Sequence, residues 1–174
     1  MQTFDTDLHG VRRIVPEAFC DHRGRYVELF DTDKYREATG GIEFVQDDIS
    51  VSETHVLRGL HGDWATTKLV SVLHGTGYAV IADNRPDSPT YRRWQAFELS
   101  GENREQLLLP PGIGNSILVL QGPLVYWYKQ DTHFEPGRQF TIRWNDPEWG
   151  FEWPVTDPIL SERDKVGAYA AASS

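Results

Sequence analysis

The sequence is poor in cysteine and lacks long apolar runs. Its single cysteine, Cys20, excludes an internal disulfide and a thiolate metal cluster. No apolar run approaches the roughly 18 residues that a membrane-spanning helix needs. The N-terminus also lacks a basic region followed by an apolar core, which a secretory signal would have. We therefore expect a soluble, cytoplasmic protein with no membrane partner.

Basic residues are also in short supply. Lysine and arginine total 17 against 26 acidic residues, which gives a formal net charge of −9. This balance disfavours nucleic acid as a partner. It does not exclude a small anion, because a few arginines in one pocket can reverse the local potential. A chain of this length buries roughly 70% of its unfolded surface, so we expect residues 1–174 to form a single domain.

The dominant hydrophobic period is two, which is typical of β-strands. The strand-like segments are RYVELF (25–30), KLVSVL (68–73), GYAVIAD (77–83), RWQAFELS (93–100), SILVL (116–120) and LVYWYKQ (124–130). Turn signals such as HGTG and QGP separate them and predict an all-β sandwich or barrel. A short helix is predicted at 32–39, with Asp31 or Thr32 as N-cap, and a second candidate helix starts at Ser161.

The stretch RGLHGD contains a histidine, His61, between Gly59 and Gly62. The glycines allow tight turns or the close approach of a ligand. If the strands are neighbours, Arg58 and Lys68 lie at the same end of the barrel, and such cations suit a phosphate. Spacing alone leaves two interpretations open, a chemical group or an ordinary histidine at the barrel rim.

A metal site is not expected at this histidine. Metal-binding barrels of the cupin type use an HxH pair with a glutamate, and a further histidine in a PxGxxH turn. Here the first cluster is His61, Gly62 and Asp63, and the turn ends in Asn115. Two of the usual nitrogen ligands are therefore missing.

Two further clusters contain titratable groups. Alternation along 126–130 puts Tyr126, Tyr128 and Gln130 on one strand face, where the phenols line a cavity or simply fill a barrel interior. Composition favours the filling role. Asp164 lies in DPILSERD after an extended segment, and spacing alone predicts a solvated carboxylate.

A set of ordered strings resembles the dTDP-4-dehydrorhamnose 3,5-epimerase family over about residues 10–164. The strings are DHRGRYVELF, VLRGLHGD, KLV, DSPTYRRW, LSGENREQLLLPPG, LVYWYKQDTHFEPG, WNDPEWGFEWP and DPILSERD. The resemblance implies a metal-free, cupin-like β-barrel (jelly roll) with short peripheral helices. It also implies a homodimer that needs no cofactor and acts on a 4-keto-6-deoxy sugar linked to dTDP or GDP.

The resemblance further implies catalytic roles. His61 would be the base, oriented by Asp164, and Tyr128 would be the acid. Lys68 would stabilise the enolate oxygen. The chemistry fits these roles, because a ketone at C4 acidifies the hydrogens on C3 and C5. Inversion then needs a base on one ring face, an acid on the other and a donor near the C4 oxygen.

Other matched positions imply contacts with the nucleotide sugar. The expected substrate-binding residues are Arg23, Glu28, Gln46, Asp48, Arg58 and Asn115. The first two belong to the motif DHRGRYVE, which is expected to contact the diphosphate together with Arg58. Part of that motif is expected to reach across the dimer.

Several positions depart from the family pattern. Asn115 stands where a histidine is usual, Asp48 where asparagine is usual and Phe134 where tyrosine is common. Gly62 and Asp63 replace the residues after RGLH, and we expect them to open that side of the pocket. The combination resembles a branch that acts on GDP-linked 4-keto-6-deoxy-heptoses.

Several functions remain open at this point. The first is an epimerase that inverts C3, C5 or both in deoxysugar or surface-polysaccharide biosynthesis. A 3,4-ketoisomerase would use the same enolate and return the proton to C4. A non-catalytic, cupin-like module would only bind the sugar nucleotide. The joint presence of His61, Tyr128 and Asp164 favours an enzyme.

Overall fold

The computed structural model describes residues 1–167 and consists mostly of β-strands. The strands are β1 (Gln2–Asp5), β2 (Arg12–Val15), β3 (Ala18–Asp21), β4 (Gly24–Val27), β5 (Gln46–Ser52), β6 (Leu57–Asp63), β7 (Lys68–Asp83), β8 (Trp94–Ser100), β9 (Gln106–Leu109), β10 (Ile113–Gln130) and β11 (Gln139–Thr141). Two short helices, α1 (Thr32–Thr39) and α2 (Glu162–Val166), complete the described part. The all-β prediction is confirmed.

Two long strands, β7 and β10, organise the main antiparallel sheet. They pair with each other along their length, and each uses its two halves for different neighbours. On β7, residues 68–71 pair with β9 and residues 76–82 with β8. On β10, residues 115–118 pair with β6 and residues 124–130 with β5. Because both strands belong to both halves, the sheet wraps around on itself.

The predicted turns HGTG and QGP are wrong, since both stretches lie inside these long strands. The β7–β10 register shifts three times between Val119 and Tyr126, as β-bulges do. Gly75 has a φ of 81°, and a Cβ there would lie 2.6 Å from the carbonyl oxygen of Gln121. Glycine here permits a bend and a close backbone approach within a strand, with no reversal of the chain.

Both faces of β7 are buried toward its two ends, and these two stretches of its sequence are accordingly mostly apolar. Val70 and Val72 belong to the core between the sheet layers. Leu69 faces the other way and packs in a cluster with Tyr35 of α1. Val80 belongs to a cluster with partly buried aromatic side chains, some of which, such as Trp149 and Phe151, follow β11.

The helices begin and end close to the predicted positions. α1 spans residues 32–39, and its N-cap is Asp31, which accepts hydrogen bonds from the N–H groups of Asp33 and Lys34. Gly40 ends the helix in the left-handed conformation. α2 starts after Ser161 as predicted. The rest of that candidate helix, from residue 168 onward, lies outside the described residues.

Strands β3 and β4 form a separate two-stranded hairpin. Its apolar side chains Phe19 and Tyr26 are exposed, by 54% and 66%. The strand predicted at 25–30 is shorter in the structure, where β4 ends at Val27.

Within residues 1–167, none of the helices is long and apolar enough to cross a membrane.

Candidate active site

A pocket of about 380 Å³ is lined by most of the site residues that were predicted from the sequence. The predicted residues that line it are Gln46, Asp48, Arg58, His61, Lys68, Asn115 and Tyr128. They come from β5, β6, β7 and β10, so positions far apart in the sequence meet at one place. Asp164 lies directly behind His61.

His61 and Asp164 form a partly buried hydrogen-bonded pair. His61 Nε2 lies 2.6 Å from Asp164 Oδ1, and the aspartate side chain is only 4% exposed. The second oxygen, Oδ2, accepts a hydrogen bond of 2.7 Å from the Ser161 hydroxyl, and the Gly59 N–H also donates to this carboxylate. The solvated carboxylate expected from spacing is therefore wrong, because α2 turns Asp164 inward.

This pairing determines the protonation of the imidazole. The ionised Asp164 carboxylate can only accept a hydrogen bond, so Nε2 of His61 carries the hydrogen and Nδ1 keeps a lone pair. Burial lowers the pKa of His61, as do the charges of Arg163 and Lys68, and Asp164 only partly opposes them. Burial alone would raise the pKa of Asp164, yet the bonds from His61, Ser161 and Gly59 bring it below its usual value. The result is a neutral imidazole held by an ionised carboxylate at neutral pH.

Lys68, the first residue of β7, brings an ammonium group into the pocket. Burial lowers its pKa, and the negative charges of Asp63 and Asp48 partly offset that effect. Its ammonium has no hydrogen-bond partner within residues 1–167. The group is therefore available to a ligand oxygen.

Tyr128 faces the same pocket from β10, with its ring centroid 6.0 Å from that of Tyr126. Burial raises the pKa of Tyr128, and the charge of Asp48 raises it further. The phenol is thus protonated at neutral pH and able to donate. Tyr126 is buried against the apolar core and also lines this pocket, so both tyrosines reach the cavity and Tyr126 fills part of the interior as well.

An amide and carboxylate network forms the wall next to Tyr128. Asp48 pairs directly with Tyr128 across β5 and β10. Its Oδ2 accepts hydrogen bonds from Gln46 Nε2 at 2.6 Å and from Gln130 Nε2 at 3.0 Å. The Phe134 N–H donates to Gln46 Oε1 at 2.9 Å. These contacts fix Gln46 and Asp48 at the pocket surface.

Arg58 and Asn115 complete the set that the structure brings together. Arg58 Nε donates to the Ser52 hydroxyl at 2.8 Å, and Asn115 pairs directly with His61 across β6 and β10. Asn115 is a neutral amide beside His61. Among residues 1–167, no three His, Cys, Asp or Glu side chains are grouped so that they could hold a metal ion.

The family model for dTDP-4-dehydrorhamnose 3,5-epimerase matches residues 5–171. The chain belongs to this family. It is 39% identical over 162 residues to the dTDP-4-dehydrorhamnose 3,5-epimerase of Pseudomonas aeruginosa, covering 90% of each chain.

Solved structures agree with this assignment. The dTDP-4-dehydrorhamnose 3,5-epimerase from Bacillus anthracis, with TDP and PPi bound, has a TM-score of 0.92 and 34% identity over 96% of this chain and 98% of that one. An epimerase from Legionella pneumophila in complex with dTDP-4-keto-L-rhamnose has a TM-score of 0.90 and 35% identity, covering 95% and 90%. The matches confirm the predicted cupin-like fold. These relatives carry dTDP-sugar names, so the GDP-heptose branch is not indicated.

As a member of the dTDP-4-dehydrorhamnose 3,5-epimerase family, the chain departs from the expected pattern at Gly62, and Phe140 fills the space beside this glycine. The expectation that Gly62 opens the pocket is wrong, because a Cβ at Gly62 would overlap the Phe140 ring. Phe140 pairs directly with Gly62 on β11 and packs on Trp64 at 4.7 Å between ring centroids. Asp63 is buried beside this pair.

Two predicted binding residues do not reach the pocket of their own chain. Arg23 forms an ion pair of 2.6 Å with Asp21 on the β3–β4 hairpin. Glu28 accepts a hydrogen bond of 2.6 Å from Lys34 on α1. Within one chain, the structure therefore separates the DHRGRYVE motif from the other predicted residues.

Sequence reasoning missed four polar residues of the pocket: Ser50, Gln130, Gln139 and Arg163. Gln130 carried a signal, because alternation put it on the same face as Tyr128. Arg163 precedes Asp164, and only the inward turn of α2 brings it to the pocket. Gln139 lies on a three-residue strand, which is too short for periodicity to reveal.

Proposed function

We propose that this chain inverts C3 and C5 of a dTDP-linked 4-keto-6-deoxy sugar in deoxysugar biosynthesis. The observation that carries the proposal is the His61–Asp164 pair, which faces the same pocket as Tyr128 and Lys68. Membership of the epimerase family supports it, as do TDP and dTDP-4-keto-L-rhamnose, each bound in a solved relative.

The first step is proton abstraction by His61. The ketone at C4 acidifies the neighbouring C–H bond, because the electron pair left on carbon is delocalised to the C4 oxygen as an enolate. The lone pair on Nδ1 takes the proton, and the imidazole becomes an imidazolium. Asp164 stabilises that positive charge through Nε2–H. No electrons leave the substrate, so this step needs no redox cofactor.

The second step is protonation from the opposite ring face by Tyr128. The raised pKa keeps the phenol protonated until the enolate collapses. Lys68 stabilises the negative charge on the C4 oxygen, where a desolvated cation is most effective. The proton that His61 removed stays on the imidazole, and Tyr128 delivers a different proton to the opposite face, which inverts the carbon.

The substrate's diphosphate is proposed to lie near Arg58, an arginine at the pocket surface. A guanidinium pairs with phosphate oxygens through two parallel N–H groups. Asn115 contributes a neutral hydrogen-bonding amide beside His61.

We also propose that the protein works as a homodimer in which the β3–β4 hairpin completes the site of a second copy. Arg23 lies on this exposed hairpin, outside the pocket of its own chain. The apolar side chains Phe19 and Tyr26 on the hairpin are exposed and suit a partner surface. Mixing an Arg23→Ala chain with an inactive His61→Ala chain tests this, since a mixed dimer would regain one intact site. Failure of the mixture to show activity contradicts the exchange.

Proton NMR of dTDP-4-keto-6-deoxy-glucose in deuterated water tests the reaction. We expect wild-type protein to introduce deuterium at C3 and C5, and His61→Ala to abolish the exchange. His74→Ala, at an exposed histidine on β7, serves as the matched control and should behave as wild type. Exchange at C3 alone would identify a 3-epimerase, and migration of the ketone to C3 a 3,4-ketoisomerase. Absence of exchange with a panel of such sugars would refute the proposal.

A further inference from the structure

The short pairing between β6 and β11 places two polar residues without a proposed role, Asp63 and Gln139, beside His61. In this register His61 faces Thr141, Gly62 faces Phe140 and Asp63 faces Gln139. Alternate residues of a strand share a face, so Asp63 and Gln139 lie on the side of His61. Gln139 is the diagonal neighbour of His61, at roughly 7–8 Å between Cα atoms.

Asp63 is held in one orientation by its own turn. Its side chain is buried, and Oδ1 accepts hydrogen bonds from the N–H groups of Ala65 at 2.7 Å and Thr66 at 3.0 Å. Its Oδ2 accepts from Gln139 Nε2 at 3.0 Å, and Arg138 Nε lies 3.9 Å from the same oxygen. All of these neighbours present N–H groups, so the carboxylate acts purely as an acceptor.

This geometry fixes the direction of the Gln139 amide. An amide has a donating NH₂ on one side and an accepting carbonyl on the other. Because Asp63 only accepts, the NH₂ must face it, and Oε1 must point away. Gln139 lines the pocket. Within residues 1–167 its Oε1 has no hydrogen-bond partner, and this oxygen is not among the buried polar atoms that lack one. The pocket therefore receives a carbonyl acceptor at this point.

We infer that Asp63 is a positioning residue and that Gln139, oriented by it, accepts a hydrogen bond from a hydroxyl of the substrate's hexose. The ketone and the phosphates of a 4-keto sugar nucleotide only accept, so its hydroxyl groups are the matching donors. The distance to His61 places this contact on the ring that loses the proton, and not on the nucleotide. The inference rests on the proposed function and adds a determinant of which sugar binds.

The decisive variant is Asp63→Asn, which keeps the shape of the side chain. The new amide oxygen still accepts from Ala65 and Thr66, and its NH₂ now faces Gln139. The glutamine must then turn its carbonyl inward and present NH₂ to the pocket. The double variant Asp63→Asn/Gln139→Glu restores the acceptor, because the new carboxylate receives the NH₂ with one oxygen and offers the other to the ligand.

Calorimetric binding of dTDP-glucose and of dTDP measures the effect without turnover. We expect Asp63→Asn and Gln139→Leu each to weaken dTDP-glucose binding about tenfold, as for loss of one hydrogen bond, and to leave dTDP binding unchanged. The double variant should recover most of the loss. Asp87→Asn, the same change at an exposed carboxylate, should match wild type. With a turned-over sugar, KM should rise while the pH dependence of kcat stays the same.

Equal affinity of wild type and Gln139→Leu for dTDP-glucose would overturn the inference. So would an equal loss for dTDP, or a double variant no better than Asp63→Asn. If Asp63→Asn does not fold, Gln139→Leu decides alone. Lack of deuterium exchange by wild type would refute the proposed reaction and leave this binding test intact. Normal exchange with unchanged affinities would refute only the present inference.

Discussion

Replacement of Asp164 by asparagine tests the central pair of the site most directly. The Ser161 hydroxyl and the Gly59 N–H both need an acceptor at this position, so the oxygen of the new amide turns toward them. Its NH₂ then faces the imidazole and donates to Nε2. The proton moves to Nδ1, and His61 loses the lone pair with which it would take a proton from the sugar.

The size of the loss follows from the contact itself. The bond from His61 Nε2 to Asp164 Oδ1 measures 2.6 Å, and the carboxylate is almost fully buried. A hydrogen bond to a charged group in such surroundings contributes about 1.5–3 kcal/mol. Each 1.36 kcal/mol added to the activation free energy lowers the rate tenfold, so this loss corresponds to a decrease in kcat of about 10- to 150-fold.

The pH profile gives an independent signature. Burial lowers the pKa of His61, and Asp164 is the group that opposes this shift. Removal of the negative charge therefore lowers the pKa further. A base must be unprotonated, so activity falls as pH drops through its pKa. The acid limb of the kcat/KM profile should accordingly move to lower pH in Asp164→Asn.

Initial rates of epimerisation between pH 4 and 9, measured by NMR, supply both quantities. Asp157→Asn, the same substitution at an exposed carboxylate, is the control and should leave rate and profile unchanged. A folded Asp164→Asn protein with wild-type kcat would refute the orienting role. An acid limb that moves to higher pH would refute the electrostatic argument.

Three other predictions follow from the structure. Tyr128→Phe should retain deuterium exchange on the face of His61 but form inverted product about 10²- to 10⁴-fold more slowly, as measured by NMR, because the acid is lost; equal loss of both would assign Tyr128 another role. Gly62→Ala should destabilise the protein by about 1–3 kcal/mol in thermal unfolding, because its methyl overlaps Phe140, and Phe140→Ala in the same chain should relieve this; no change in Tm would contradict the overlap. Burial opposes ionisation of Asp83, but its bonds from Arg85, Ser88 and Thr90 lower its pKa to about 2, so it contributes about 2 kcal/mol above pH 4 that is lost as pH falls toward 2. In urea titrations, Asp83→Asn should flatten that acid dependence, and an unchanged slope would contradict it.

Parts of the site could be predicted from the sequence because they lie in short motifs within strands. Lys68 and Tyr128 occur in predicted strands and His61 in the motif RGLHGD, and the structure brings them to one pocket. Asp164 could not be found by spacing, since its position depends on how a late segment folds back. Only the family resemblance pointed to it. Their catalytic roles stay predictions until the variants are measured.

The errors about the turns and about Gly62 have a common physical origin in the behaviour of glycine within strands. HGTG and QGP were interpreted as turns, but their glycines permit bulges and close backbone contacts inside β7 and β10. Gly62 was assigned to the pocket, although it adjoins His61 and therefore faces the opposite side of β6. Its compensating partner, Phe140, lies on a strand of three residues, and only the three-dimensional register pairs them.

The docking of Asp164 has a consequence for the synthesis of the protein. His61 and its orienting carboxylate are 103 positions apart, and the segment between β11 and α2 joins the barrel through hydrogen bonds of Ile159 with His55 and Leu57. The ribosome therefore completes the strands that hold His61, Lys68 and Tyr128 before it adds Asp164. A nascent chain that stops short of α2 already contains the strands that hold His61, Lys68 and Tyr128, but it lacks the carboxylate that fixes the proton on the imidazole. Any activity that depends on the His61–Asp164 pair is therefore acquired only after the barrel strands have been made.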